Sequence, residues 1–165
     1  VRLRALREAP YAFEQTLAEV EGDPDEDWAE GAAELASDHA RSVAFLAFRD
    51  DPAAPAGMAG AYLDREHGDE AVVWGVWVEP AARGSGTGRL LLEAVIAWAE
   101  RRGLAQLTLW VTESSEPAIR LYRSLGFEER GLRKPHPHLA GVRELAMALP
   151  LDPCGHEPAS AHSRA

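Results

Sequence analysis

The chain is 165 residues long, enough for one domain with an ordinary buried core, and it carries a formal net charge of −10 from 27 acids against 17 bases. An acidic surface repels nucleic-acid phosphate. One cysteine, Cys154, rules out a disulfide framework or a cysteine zinc site, and no run of about 18 apolar residues offers a membrane span. The default expectation is a soluble, cytosolic protein with neither nucleic acid nor membrane as partner.

Arg2 to Glu21 reads as a helix with Leu3, Leu6, Phe13, Leu17 and Val20 inward, interrupted near Pro10. An acidic loop over residues 21–27 then leads into a second, weakly amphipathic helix from Trp28 to His39. This first third holds most of the excess negative charge, which would attract a cationic small molecule. Ser42 to Arg49 and Ala56 to Asp64 read as the two strands of a hairpin. Gly68-Asp69 breaks the chain before a third antiparallel neighbour, Ala71 to Val78, ended by Pro80. Gly75 inside that strand weakens the ladder and suggests a bulge or a close ligand approach.

The next stretch organises the rest. Gly84, Gly86 and Gly88 alternate between the strand and a helix over Arg89 to Arg102, which has Leu91, Leu92, Val95, Ile96, Trp98 and Ala99 at helical spacing. Such a turn leaves backbone free for φ > 0 and aims unpaired N–H groups, with the positive end of the helix dipole, at one spot. That is an anion site, and the N–H groups of Ser85, Thr87 and Arg89 would line it, with charge added by Arg83 and Arg89. The dinucleotide fingerprint fails because Arg89 stands where its third glycine belongs. The nucleotide P-loop fails because Gly88 is followed by Arg89 and Leu90, with no lysine.

Gln106 to Thr112 is a further strand, and a strand–helix–strand succession implies a right-handed crossover with Ala71–Val78 and Gln106–Thr112 parallel. Ligands in such units sit beyond the carboxyl ends of the strands, where the glycine loop lies. Residues 113–117 start a helix with a serine available as cap and Pro117 in its first turn, and Gly126 ends it. Phe127 to Lys134 and Gly141 to Pro150 form a final antiparallel pair around residues 135–138. His136 and His138 in that turn make a poor metal site, and no metal is expected. Asp152 to Ala165 reads as a disordered tail, leaving residues 1–151 as the domain.

Arg83-x-x-Gly86-x-Gly88 resembles the acetyl-CoA diphosphate motif, Q/R-x-x-G-x-G/A, of the GNAT family of N-acetyltransferases. Ala118-Ile119-Arg120-Leu121-Tyr122-Arg123-Ser124-Leu125-Gly126-Phe127 resembles that family's second motif, A-x-x-L-Y-x-x-x-G-F, and the likeness extends over residues 1–151. It implies an α/β (α+β) GNAT fold: a mixed, mostly antiparallel sheet with helices on both faces and one parallel pair splayed at the cofactor site. The family's first strand, which carries the N-terminus, does not precede Arg2, and the expectation is that the sequence begins after it.

The resemblance further implies direct acetyl transfer from acetyl-CoA to a primary amine in a ternary complex. It puts Val76, Trp77 and Val78 against pantetheine, with a backbone N–H polarising the thioester oxygen. It makes Tyr122 the acid for the CoA thiolate and offers Glu70 as the base, with Asp69 and Glu79 as alternatives. Ser115 stands where the family usually has an asparagine. Its hydroxyl can still bond the pantetheine amide, with less reach than a carboxamide. The acidic first third favours a cationic acceptor. A non-catalytic CoA-binding module, a protein N-terminal or lysine acetyltransferase, another acyl chain and a homodimer remain open.

Overall fold

The computed structural model describes residues 1–35, 41–49, 54–64 and 66–152. In chain order come α1 (Arg2–Glu8), a 3-10 turn (Pro10–Ala12), α2 (Leu17–Val20), α3 (Asp25–Leu35), β1 (Ser42–Ala47), β2 (Gly57–Leu63) and β3 (Glu70–Val78). A second 3-10 turn (Pro80–Ala82), α4 (Thr87–Arg101), β4 (Gln106–Thr112), α5 (Glu116–Ser124), β5 (Glu128–Pro135) and β6 (Arg143–Pro150) complete it. The six strands of the described residues form one sheet in the order β1-β2-β3-β4-β6-β5, in which only β3 and β4 run parallel. The expected tail beyond Asp152, with Cys154, lies outside the described residues, as do residues 36–39 of the second helix.

The first helix is shorter than its periodicity suggests. Ala9 turns out of the helix at φ −133°, because Pro10 has no N–H to continue the ladder. The helix restarts at Leu17 behind a capping box, in which Thr16 and Glu19 satisfy each other's backbone and side chain. The acidic run is a loop only as far as Pro24. Asp25, Glu26 and Asp27 form the first turn of α3, where carboxylates complement the positive end of the helix dipole.

Two apolar clusters sandwich the sheet. On one face, Leu92, Val95 and Trp98 of α4 and Ile119 of α5 pack against Leu107, Leu109, Leu145 and Met147. On the other, Leu6, Phe13 and Val20 from the N-terminal segment cover Met58 and Trp77. Strand β3 changes parity between them: Ala71 and Val73 face α4, then Val76 and Val78 do, with Trp77 on the opposite side. One extra residue causes this. Met58 pairs with Trp77 and Gly60 with Trp74, so β3 spends three steps where β2 spends two, and Gly75 takes φ +64° at the bulge.

The bulge coincides with a parting of the parallel strands. β3 and β4 pair only at Glu70–Gln106, Ala71–Leu107 and Val72–Thr108. Beyond Val72 their facing edges separate, although both strands continue, and the opening lies at their carboxyl ends.

Candidate active site

The glycine loop closes over the end of β3. Gly84 and Gly86 have φ of +77° and +88°, a left-handed backbone that glycine adopts without the Cβ penalty. Gly86 is the N-cap of α4 and has no side-chain cap, so the first-turn N–H groups face outward. Gly88 has a different function: a Cβ there would stand 3.0 Å from Leu121 Cδ2, so its bareness lets α5 approach α4.

A groove of about 710 Å³ runs from this loop along the splayed end of β3 to the start of α5. Val76, Trp77 and Val78 form one wall, and Arg83, Gly84, Gly86, Gly88 and Arg89 form its end. Ser115, the N-cap of α5, lines it too and makes no side-chain cap hydrogen bond. Ser85 and Thr87 are not among the lining residues; their hydroxyls lie 2.9 Å apart, and Ser85 donates to the Ala82 carbonyl at 2.7 Å.

Neither arginine is a free charge. Arg83 donates Nε to the Val78 carbonyl at 3.0 Å and Nη2 to Glu8 at 2.6 Å. Arg89 pairs with Glu93 at 3.1 Å and donates to the Ser124 carbonyl and hydroxyl, fastening α4 to α5. An anion at this loop would therefore meet chiefly backbone N–H groups. The donor set fits a diphosphate, and the unpaired edge of β3 fits an extended, amide-bearing arm.

Two residues read as catalytic are not in this groove. Glu70 begins β3, pairs with Gln106 and accepts a hydrogen bond from its side chain. It is six residues, or about 20 Å, from Val76 along the strand. The start of the strand, where the sequence also puts Glu70, is thus the end away from the groove, and Glu70 does not line it. Asp69 is at that same far end. Tyr122 is buried under the groove wall and meets Phe127 edge-on at 5.8 Å. Burial pushes its phenol well above the ordinary pKa.

A second cavity, about 360 Å³, opens on the other side of the splay. It meets the groove at Val76 and Ala12, which line both. Arg2, Glu14, Glu19, Trp74, Trp110 and Glu144 are among its walls. Thr112 Oγ1 donates to the Tyr11 carbonyl at 2.6 Å and anchors the 3-10 turn across the opening. Glu144 is 4% exposed; Lys134 Nζ lies 3.4 Å from its Oε2, bonds to Glu14 and sits 4.6 Å above the Trp110 ring.

The sequence reading missed Arg2, Glu8 and Glu144. Glu144 adjoins the apolar run of β6 and resembles a strand-end acid until the N-terminal segment covers it. Among the described residues no group of His, Cys, Asp or Glu is arranged to hold a metal.

The model of the acetyltransferase (GNAT) family matches residues 3–127, most of the chain, including both the glycine loop and α5. The chain belongs to the GNAT family. Its relatives include the ribosomal protein bS18-alanine N-acetyltransferase of Escherichia coli K12, 42% identical over 85 residues that cover 50% of this chain and 57% of that protein. The crystal structure of the E. coli enzyme aligns at 28% identity over 89% of this chain and 88% of its own, with a TM-score of 0.59. A mycothiol acetyltransferase of Streptosporangium roseum is 48% identical over 66 residues, 39% of this chain and 20% of that one. A GNAT structure from Kribbella flavida aligns at 29% identity over 90% of this chain and 89% of its own, with a TM-score of 0.68. The chain thus spans little more than half, or less, of the curated relatives it matches. As in the GNAT fold expected from the two motifs, the sheet is mixed and mostly antiparallel, with its one parallel pair splayed at the glycine loop.

Proposed function

We propose that the protein transfers an acetyl group from acetyl-CoA to the primary amine of a small, ammonium-bearing acceptor. One observation carries the reading: the groove that fits the cofactor and the cavity walled by Glu14, Glu19 and Glu144 meet at Val76, beside the bulge. Acetyl-CoA, when bound, supplies the activated acyl group. The chain's own residues hold and orient it. Loop N–H groups around Gly84–Arg89 receive the diphosphate, the open edge of β3 at Val76–Val78 pairs with the pantetheine amides, and Ser115 offers a hydroxyl to the same arm. A β3 N–H at the bulge polarises the thioester oxygen.

The amine must arrive neutral, since an alkylammonium near pKa 10.4 is unprotonated in only about one molecule in a thousand at pH 7. One proton leaves the ammonium, the nitrogen lone pair attacks the thioester carbon, the C–S bond breaks and the thiolate leaves. The second proton is lost from nitrogen, and the thiolate takes one up, so each turnover yields the amide, CoA thiol and one net proton. In this reading Tyr122, which does not line the groove as it stands, reaches the thiolate by a side-chain shift of the groove wall when the cofactor binds. Burial keeps its phenol neutral, so it donates a hydrogen bond more readily than it surrenders the proton, and water completes the protonation.

Thermal unfolding with acetyl-CoA, beside ATP and NAD, tests the cofactor. Ligand at about 100 times its dissociation constant adds roughly 2.7 kcal/mol, or roughly 5–10 °C for a domain of this size. A shift with acetyl-CoA alone is expected; no shift, or an equal one with ATP, sinks the proposal.

A further inference from the structure

We infer that the acceptor is a zwitterion, an amino acid or close analogue whose carboxylate is received by Arg2 while its ammonium meets Glu144. The inference rests on the acetyl-transfer reading and names the substrate class of its cavity.

Among the described residues, three buried side-chain polar atoms lack a hydrogen-bond partner: Arg2 Nη1, Glu144 Oε2 and His136 Nε2. The first two, of opposite charge, wall the same cavity. A buried polar atom without a partner is costly, and a buried charge more so. Arg2 is the sharper case. Its Nη2 donates to Gln15 at 3.1 Å, its guanidinium lies 4.8 Å from the Phe13 ring and 5.5 Å from that of Trp74, and no carboxylate of the described residues pairs with it. A guanidinium presents a planar fork suited to a carboxylate. It also lies against the transfer point, since a Cβ built on Gly75 would be 3.3 Å from Nη1.

Glu144 supplies the other pole. The chain already houses a primary ammonium there: Lys134, within 3.4 Å of Glu144 Oε2 though not in hydrogen-bond geometry, rests on the Trp110 face. A carboxylate offers about four acceptor directions, so a substrate ammonium joins Lys134 on Glu144 without displacing it. A polyamine would satisfy Glu144 but leave Arg2 unpaired and add like charge beside it. A cavity of about 360 Å³ suits a small molecule.

The experiment measures thiol release from acetyl-CoA with the twenty free amino acids, their carboxamides, the corresponding decarboxylated amines and spermidine, using the whole chain and its Arg2→Gln, Arg2→Lys and Glu144→Gln variants. The expected result is kcat/KM at least about tenfold higher for the preferred free amino acid than for its carboxamide. That preference collapses in Arg2→Gln and survives in part in Arg2→Lys. Glu144→Gln raises the amino-acid KM, and the melting shift given by acetyl-CoA is unchanged in all three variants. Carboxamides or spermidine used as well as free acids, or a preference that persists in Arg2→Gln, overturns the inference. If acetyl-CoA raises the melting temperature but no free amino acid is acetylated, the inference fails while the cofactor reading stands. If acetyl-CoA gives neither shift nor thiol release with any amine, the underlying reading fails and this one with it.

Discussion

The carboxylate of Glu8 lies 2.6 Å from the guanidinium of Arg83, 75 positions away in the chain. The same oxygen accepts the Trp77 indole N–H at 2.9 Å, while Arg83 caps the Val78 carbonyl. One acid thus ties α1 to the bulged end of β3 and to the entry of the glycine loop. Arg83, read from sequence as phosphate charge, is here a brace for the backbone that leads into the glycine loop.

Glu8 therefore gives the fold an acid-sensitive contact. Burial raises its pKa, but the hydrogen bonds from Trp77 and Arg83, with the Arg83 charge, outweigh that and hold it below the ordinary carboxylate value. A group with a depressed native pKa stabilises fully above its unfolded pKa and loses that contribution as pH falls through the native one. Glu8→Gln keeps an acceptor for Trp77 but removes the charge. It is expected to lower the melting temperature slightly at neutral pH and to shrink the further loss down to about pH 3. Melting curves across that range check it, and an unchanged acid slope would count against the brace.

Gly86 tests the cradle. A Cβ there meets nothing within 4 Å, so Gly86→Ala costs conformational energy alone, roughly 1–2 kcal/mol for a left-handed φ. The melting temperature should fall by roughly 2–8 °C. Acetyl-CoA affinity should fall by about tenfold as the loop N–H groups lose alignment, read by titration of the ligand-induced shift. A variant that melts lower but binds acetyl-CoA as before would remove the loop from the cofactor site.

Gly60 tests the cavity from behind. A Cβ at this position would stand 2.5 Å from the Trp74 ring and 2.6 Å from the Val43 carbonyl, and neither neighbour is a flexible chain end. Gly60→Ala should destabilise by about 1–3 kcal/mol, the range for overpacking. Trp74 flanks Arg2, so its displacement should raise KM for the acceptor more than for acetyl-CoA. Equal rises in both would show that the two sites do not divide at the bulge.

What was legible in the sequence was whatever the backbone requires of residue type. Left-handed positions demand glycine, so Gly75, Gly84 and Gly86 announce the bulge and the loop, and the apolar spacing of α4 announces the helix behind them. Distance from a site leaves no such mark: Glu70 stands at the start of β3, as its place in the sequence requires, but only the fold shows that this end is away from the groove. Charge also misled at residues 25–27, where polarity suggests a loop but the helix dipole welcomes carboxylates. Arg2 and Glu144 come from opposite ends of the chain, and only tertiary folding makes them walls of one cavity.

Tyr122 is the remaining residue whose role turns on its surroundings. The residue is 6% exposed, its ring packs edge-on against Phe127, and its pKa is raised by desolvation. Since the phenol stays neutral across the working range, Tyr122 should add no limb to the pH–rate profile below about pH 10. Tyr122→Phe keeps the packing and deletes the donor. The expected outcome is a fall in kcat of about 10- to 100-fold, the value of a hydrogen bond to a charged group, with acetyl-CoA affinity and melting temperature nearly unchanged. A larger loss, of about a thousandfold or more, would point instead to full proton transfer from the phenol. An unchanged kcat would leave thiolate protonation to water alone and reduce Tyr122 to a core residue of α5, the role its stripe of apolar neighbours already accounts for.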